Sequence, residues 1–183
     1  MRWWGAGAVA ATFALVAVVL PAIDEAVSPE RVIAEGTVYE LDTVSFTPTP
    51  GWSLDVAGSS LAPGRPTVRV YDGGVRFVVS VEATTRSAVE LLGVVSRDLT
   101  GSEGAGAVDE PAPVVNAAGL EGVRQQFVAA NDDITLTVFV ADGLGITVLT
   151  AATSGSLDDD AVAAMEDMID GLRIGPADLG GES

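Results

Sequence analysis

Between Val75 and Glu82 the chain changes polarity almost residue by residue. Val75, Phe77, Val79 and Val81 fall on one side of an extended backbone, and Arg76, Ser80 and Glu82 on the other. A β-strand turns its side chains over with a period of two, so this segment demands a sheet with an apolar face. The other face is expected to be wet or covered by something polar. Ile134, Leu136, Val138 and Val140 alternate with Thr135, Thr137 and Phe139 in a second such run, the pattern of an antiparallel strand with one buried face. Turn residues sit where hairpins need them. Asp72-Gly73-Gly74 joins a strand at 67–71 to the one at 75–82, Asp142-Gly143 joins 134–141 to 145–153, and Gly119 parts 114–117 from 120–129. Gly and Asp tolerate the positive φ that tight hairpins require. Upstream, 37–41 and 44–46 read as strands, Pro48, Pro50 and Gly51 interrupt, 52–56 resumes, and 57–66 is a Gly, Ser and Pro loop.

Helical periodicity occurs twice. Ser87 and Glu90 spell a capping box, and Val89, Leu92, Val95 and Leu99 follow at spacings of three or four, which predicts a helix from Ser87 to near Gly101. Residues 101–113, Gly, Ala and acids with two prolines, read as a mobile loop. For the second helix Ser156 or Asp158 supplies the N-cap, three consecutive aspartates meet the positive end of the dipole, and Ala161, Val162, Met165, Ile169 and Leu172 form the apolar stripe. Strands, helix, strands, helix is the order of an α+β fold, an antiparallel sheet with helices packed on it.

Ahead of this domain, Trp3 to Ile23 carries no charge. At about 1.5 Å rise per residue that run matches a hydrocarbon core about 30 Å thick. Arg2 precedes it and Asp24, Glu25 and Glu30 follow, so the positive-inside rule puts the N-terminus in the cytoplasm and the domain outside it. Cleavage as a signal peptide, which would release a secreted domain, is the alternative. It finds poor sites, because Leu20 stands at −3 for one option and Asp24 at −1 for the other. The expected organisation is a transmembrane anchor over 1–23, a stalk over 24–36, the domain over 37–175 and a disordered tail over 176–183.

The residue inventory narrows the chemistry. There is no Cys and no His, and all nine basic residues are Arg. That removes thiolate and imidazole catalysis, the ordinary zinc, haem and iron–sulfur sites, and the lysine Schiff base. No cofactor is expected, and no catalytic residues are identified. Paired carboxylates would have to carry any hydrolysis, and Asp42-Thr43-Val44 is only a near miss to an Asp-Thr-Gly motif. Asn131-Asp132-Asp133 and Asp158-Asp159-Asp160 could gather calcium, but one falls where a turn is needed and the other at a helix start. The glycines of 101–106 lack the spacing of a nucleotide fingerprint. A net charge of −17 makes nucleic acid a poor partner. Against that background Trp52, Arg65, Arg69 and Arg76 draw notice. Arginines on the outward side of strands in so acidic a chain suit a carboxylate-bearing ligand or partner, with Trp52, Arg69 and Arg76 the candidate contacts. The plainer reading makes Trp52 a core residue and pairs the arginines with nearby acids.

Val44-Ser45-Phe46, Pro50-Gly51-Trp52, a hairpin, a helix, a Gly-containing turn before 120–128, another hairpin and a final helix ending in Leu172-Arg173-Ile174 together form a recognisable layout. It resembles the PsbP/Mog1-like fold and, within it, the exported actinobacterial domains of the LpqN lipoprotein type, over residues 37–175. The resemblance implies an α/β/α sandwich that serves as a non-catalytic binding or accessory module in the cell envelope, and it brings no catalytic residues with it. Those lipoproteins are held by a lipidated Cys; with none here, the apolar N-terminal run would do the tethering. The resulting expectation is a membrane-tethered extracytoplasmic module that contacts another cell-envelope protein. The alternative is a carrier or sensor of a small apolar or lipidic ligand held between sheet and helix.

Overall fold

Alternating strands with tight glycine turns tend to pair with their neighbours in sequence, and the computed structural model, which describes residues 30–153 and 156–175, shows such hairpins over 67–83 and 132–153. The strands are β1 (Glu30–Val32), β2 (Tyr39–Leu41), β3 (Val44–Phe46), β4 (Ser53–Asp55), β5 (Thr67–Asp72), β6 (Val75–Ala83), β7 (Gly106–Ala107), β8 (Ala112–Val115), β9 (Glu121–Val128), β10 (Asp132–Ala141), β11 (Leu144–Thr153) and β12 (Arg173–Ile174). The helices are α1 (Ala88–Glu103) and α2 (Asp159–Asp170). Among the described residues the large sheet runs β1-β4-β5-β6-β11-β10-β9, with β7 and β8 both on the outer edge of β9, and β12-β3-β2 form a small second sheet. The β4–β5, β5–β6, β6–β11, β11–β10 and β10–β9 pairs are all antiparallel.

Two dry layers flank the large sheet. On one face α1 lays Leu91, Leu92 and Leu99 over Phe127, Ile134, Leu136 and Val138. On the other, α2 and the small sheet bring Met165, Met168, Ile169, Leu41, Val44 and Phe46 against Phe77, Val79, Phe139, Ile146 and Val148. Phe46 meets Phe77 with ring centroids 6.1 Å apart, inside the range favourable for aromatic pairs. Gly122, opposite Phe139 in the β9–β10 register, makes room for that ring: a Cβ there would collide with Phe139 and with the Val138 carbonyl.

Several boundaries differ from the sequence reading. β10 is buried on both faces, with Thr137 1% and Phe139 0% exposed, because it is a central strand and both layers cover it. α1 continues past Gly101 to Glu103, and Gly104, at φ 65°, is the left-handed C-cap whose N–H donates to Thr100 O. The segment read as a mobile loop supplies edge strands β7 and β8. Asp109, in the stretch between them, is fastened to β9, its Oδ1 accepting the Gln126 N–H at 2.7 Å and its carbonyl accepting from the Gln125 side chain at 2.8 Å. Within the stretch read as a stalk, Glu30–Val32 form β1, and buried Ile33 exchanges hydrogen bonds with Trp52 O and the Gly51 N–H at 2.8 and 3.0 Å. Val89 and Val162, assigned to apolar stripes, are exposed; Leu91 and Met168 are buried instead. Among the described residues no helix is long and apolar enough to cross a membrane. The expected membrane helix over 1–23 and the tail over 176–183 lie outside the described residues.

Candidate functional site

α1 leaves part of its side of the sheet bare. Gly145 on β11 lets the helix close down, since a Cβ there would collide with Leu91 Cδ2. From that seat α1 packs on β10 and β9, and among the described residues it reaches the same face of β6 only at its flank, where Val94, Val95 and Asp98 border Ser80 and Glu82 across an open depression.

Register decides what this bare half displays. Thr67 stands opposite Ser80, Arg69 opposite Val78 and Tyr71 opposite Arg76; Val78 in turn meets Leu149 across β11. Alternation sets all of these on the face away from Val68, Val70, Phe77 and Val79, which belong to the α2-side core. Side-chain bonds mark the shared face. The Thr67 and Ser80 hydroxyls lie 3.0 Å apart, and Arg65 reaches Glu82 at 2.6 Å. Val78 and Leu149 are half-buried, and Arg69 and Arg76 beside them are exposed.

The two arginines differ from Arg65 and Arg124. Arg65 is paired with Glu82, and Arg124 forms a two-pronged pair with Glu166 at 2.8 and 3.1 Å. Among the described residues Arg69 and Arg76 join no ion pair. Arg69 is nonetheless held in place. Its N–H donates to Ser59 Oγ at 2.9 Å, and its stem lies against Gly58, where a Cβ would stand 2.8 Å from Arg69 Cδ. The Asp55 carboxylate beside it accepts the Gly58 N–H instead, at 2.7 Å. A guanidinium fork on a fixed stem matches a carboxylate in two-pronged geometry. Two such forks framing a half-buried apolar strip have the composition of a protein interface core.

Trp52 does not join this group. It is 4% exposed and packs in the core on the opposite face of the sheet. Its rim borders an open depression of about 670 Å³ with Asp72, Asp158 and Asp160, of which Asp158 is engaged as the α2 N-cap, accepting the Ala161 N–H at 2.8 Å. Asp159 and Asp160 stand in the first turn of α2, where the dipole favours them, and among the described residues no group of three acids is placed to hold a metal. Hydrogen bonds from the Ser87 backbone and hydroxyl hold the Glu90 carboxyl below its ordinary range, which is the mark of a helix cap. Burial pushes the Tyr39 hydroxyl up, opposed by the charge of Arg31. Tyr71 and Val78 were not singled out as contacts from sequence. The signal was present in the parity of β5 and β6, which puts them on the same face as the arginines.

No family model matches the chain, and no curated protein matches it in sequence. Solved structures do. Cyanobacterial PsbP (CyanoP) from Synechocystis sp. PCC 6803 superposes with a TM-score of 0.53 at 12% identity, covering 81% of this chain and 94% of that one. A mutant of protein Mog1 gives 0.51 at 9% identity over 82% and 98%. LpqN of Mycobacterium tuberculosis, described as involved in cell envelope biogenesis, gives 0.38 at 12% identity over 80% and 91%, a score too low to carry any argument. At such identities the likeness speaks to fold alone: the chain has the PsbP/Mog1-like fold, a large antiparallel sheet with a helix on each face.

Proposed function

We propose that the chain is a non-catalytic binding or accessory module of the cell envelope. Its N-terminal apolar segment tethers it to the membrane, its domain stands on the extracytoplasmic side, and it acts through contacts with another envelope protein. The observation that supports this reading is the exposed half-sheet, where Arg69 and Arg76 flank the Val78–Leu149 strip and, among the described residues, join no ion pair, although Asp55 lies beside Arg69 and Asp132 borders the same depression as Arg76. In a chain of net charge −17, two guanidiniums left open toward solvent favour a partner that brings carboxylates to this face. Thr67, Ser80 and Tyr71 add hydrogen-bonding and aromatic surface to the same patch.

The test is site-specific photo-crosslinking in native membranes from a benzophenone residue at position 78. The expected result is a discrete adduct that fades in the double variant Arg69→Glu/Arg76→Glu and persists when Arg97, on the exposed side of α1, is reversed. An adduct indifferent to the double reversal, or none at all, rejects the arginine face as the contact. Protease protection of intact cells checks the topology: digestion of the domain from outside is expected, and its protection would overturn the extracytoplasmic placement.

A further inference from the structure

On the opposite face of the sheet, α2 and its lead-in stop short of covering the ends of β9, β10 and β11. A cleft of about 270 Å³ opens there. Its walls are Leu157 and Met165 from the α2 side and Val108 just beyond β7, and its floor includes Val128, Thr135 and Thr150 from the sheet. The position follows from the strand pattern. Gln126 and Val128 of β9, Thr135 of β10 and Thr150 and Ala152 of β11 share the parity that faces α2, and Asp109 ties down the Gln126 backbone where β7 ends.

Three properties of the cleft specify an occupant. First, its mouth is apolar beyond what folding needs: Val108 (58%), Val128 (45%) and Leu157 (42%) are all exposed, and all line this one depression. Its volume lies just below the range of about 300–1,000 Å³ typical of small-molecule sites, which suits one slender chain. Second, the polar groups are neutral hydrogen-bonding ones. Gln126 offers an amide, and Thr135 and Thr150 offer hydroxyls; the Thr150 hydroxyl is spent only on a long 3.4 Å contact to Thr135 O. Third, the one charged residue of the lining is Asp133, with no cation beside it, so a carboxylate or phosphate head group entering there would meet a like charge without compensation.

We infer that this cleft is a binding site for a small neutral amphiphile, a single alkyl chain of about ten carbons ending in a hydroxyl. The chain lies along Val108, Val128, Leu157 and Met165, and the hydroxyl exchanges hydrogen bonds with Gln126 and the two threonines. The site is on the other face of the sheet from Arg69 and Arg76 and does not depend on the role assigned to them.

The three methionines make the test direct. Met165 lines the cleft, while Met168 is buried in the adjoining core at 1% exposure. The full chain, labelled with ¹³C-methyl methionine in phosphatidylcholine nanodiscs, is titrated with 1-decanol and separately with sodium decanoate. Decanol is expected to move the Met165 methyl signal saturably and the Met168 signal far less, with decanoate at least about tenfold weaker because its charge is uncompensated. Val128→Asp and, independently, Val108→Asp, both at exposed positions, are expected to weaken decanol about tenfold or more for the same reason, with the Met168 signal reporting that the core is intact. Arg69→Glu/Arg76→Glu should leave the titration unchanged. A Met165 signal indifferent to decanol, decanoate binding as tightly as decanol, or full affinity in both aspartate variants would overturn the proposal.

Discussion

Asn116 is 5% exposed and uses both ends of its amide. The Nδ2 group donates to Ile169 O and Leu172 O at 3.1 and 3.0 Å, and Oδ1 accepts the N–H groups of Ala118 and Leu120 at 3.0 and 2.9 Å. α2 ends at Gly171 in a right-handed conformation, with the Gly171 N–H on Asp167 O at 2.9 Å and the Leu172 N–H on Ile169 O at 3.2 Å. Asn116, arriving from the turn between β8 and β9, adds a second donor to Ile169 O and supplies one to Leu172 O. Asn116→Ala strands buried acceptors and donors at once, and at about 1–3 kcal/mol for an unsatisfied buried group the expected loss is about 2–4 kcal/mol. Urea unfolding checks this, with a lower midpoint and an unchanged slope; a loss under about 1 kcal/mol would mean that water takes over the bonds. Asn116→Asp keeps the acceptor and loses the donor, and is expected to destabilise as well. Nothing local announces its hold on α2, since the carbonyls it caps lie 53 and 56 positions away, while its bonds to Ala118 and Leu120 are those of an ordinary turn asparagine before a glycine.

At the scale of elements, α1 is fixed at its start by chemistry that titrates. Glu90 Oε2 accepts the Ser87 N–H at 2.8 Å and its hydroxyl at 2.9 Å, and these bonds hold its carboxyl below the ordinary range. Because the folded pKa lies under the unfolded one, the cap's contribution is complete above the unfolded value of about 4.3. It is lost as pH falls through the folded value. Glu90→Gln keeps the shape and removes the titration, so its melting temperature should fall less steeply than that of the parent between about pH 5 and pH 3; parallel curves would sink the assignment. This cap was legible because it is local, four residues long and chemically specific. The Asp142-Gly143 turn was legible for the same reason, both residues taking positive φ (53° and 77°) as a tight hairpin requires. What stayed hidden depends on partners. β7 and β8 are strands because β9 offers them an edge, and main-chain pairing leaves no trace in a Gly, Ala and Pro sequence. Pro113 becomes readable only afterwards: Asn116 N–H donates inward to Leu120 O, so alternation puts position 113 with its nitrogen outward, where a missing donor costs nothing and blunts the edge. The arginine face was legible as polar parity on β5 and β6. That α1 would leave it uncovered was not, because the seat of α1 is set by Gly145 on a strand about 50 residues further along.

At the scale of the molecule, charge and packing pull in opposite directions. Twenty-six acids face nine arginines in the sequence, and among the described residues the ion pairs are Arg65–Glu82 and Arg124–Glu166. Both are partly exposed pairs of the kind worth about 0–1 kcal/mol each, so little attraction is available to be screened. Self-repulsion among like charges is correspondingly large, and it penalises the compact state more than the expanded one. Added salt should therefore stabilise this fold, opposite to the behaviour of a protein held by surface ion pairs. Most of the gain should arrive as the Debye length shrinks from about 30 Å at 0.01 M to about 8 Å at 0.15 M. The expected observation is a melting temperature that climbs by several degrees between about 0.01 M and 0.2 M sodium chloride and then flattens, about 2–4 °C per kcal/mol for a chain of this size. Confining the comparison to that range separates screening from the surface-tension effects of concentrated salt. The same titration bears on the arginine face. Arg69→Glu/Arg76→Glu replaces two positive charges by two negative ones on an already repulsive surface and breaks no ion pair, so its deficit relative to the parent should be largest in low salt and shrink as salt rises. A deficit that does not change with salt would show that these arginines support the sheet through their stems, as Arg69 does against Gly58, and would weaken the case that their charge is kept for a partner.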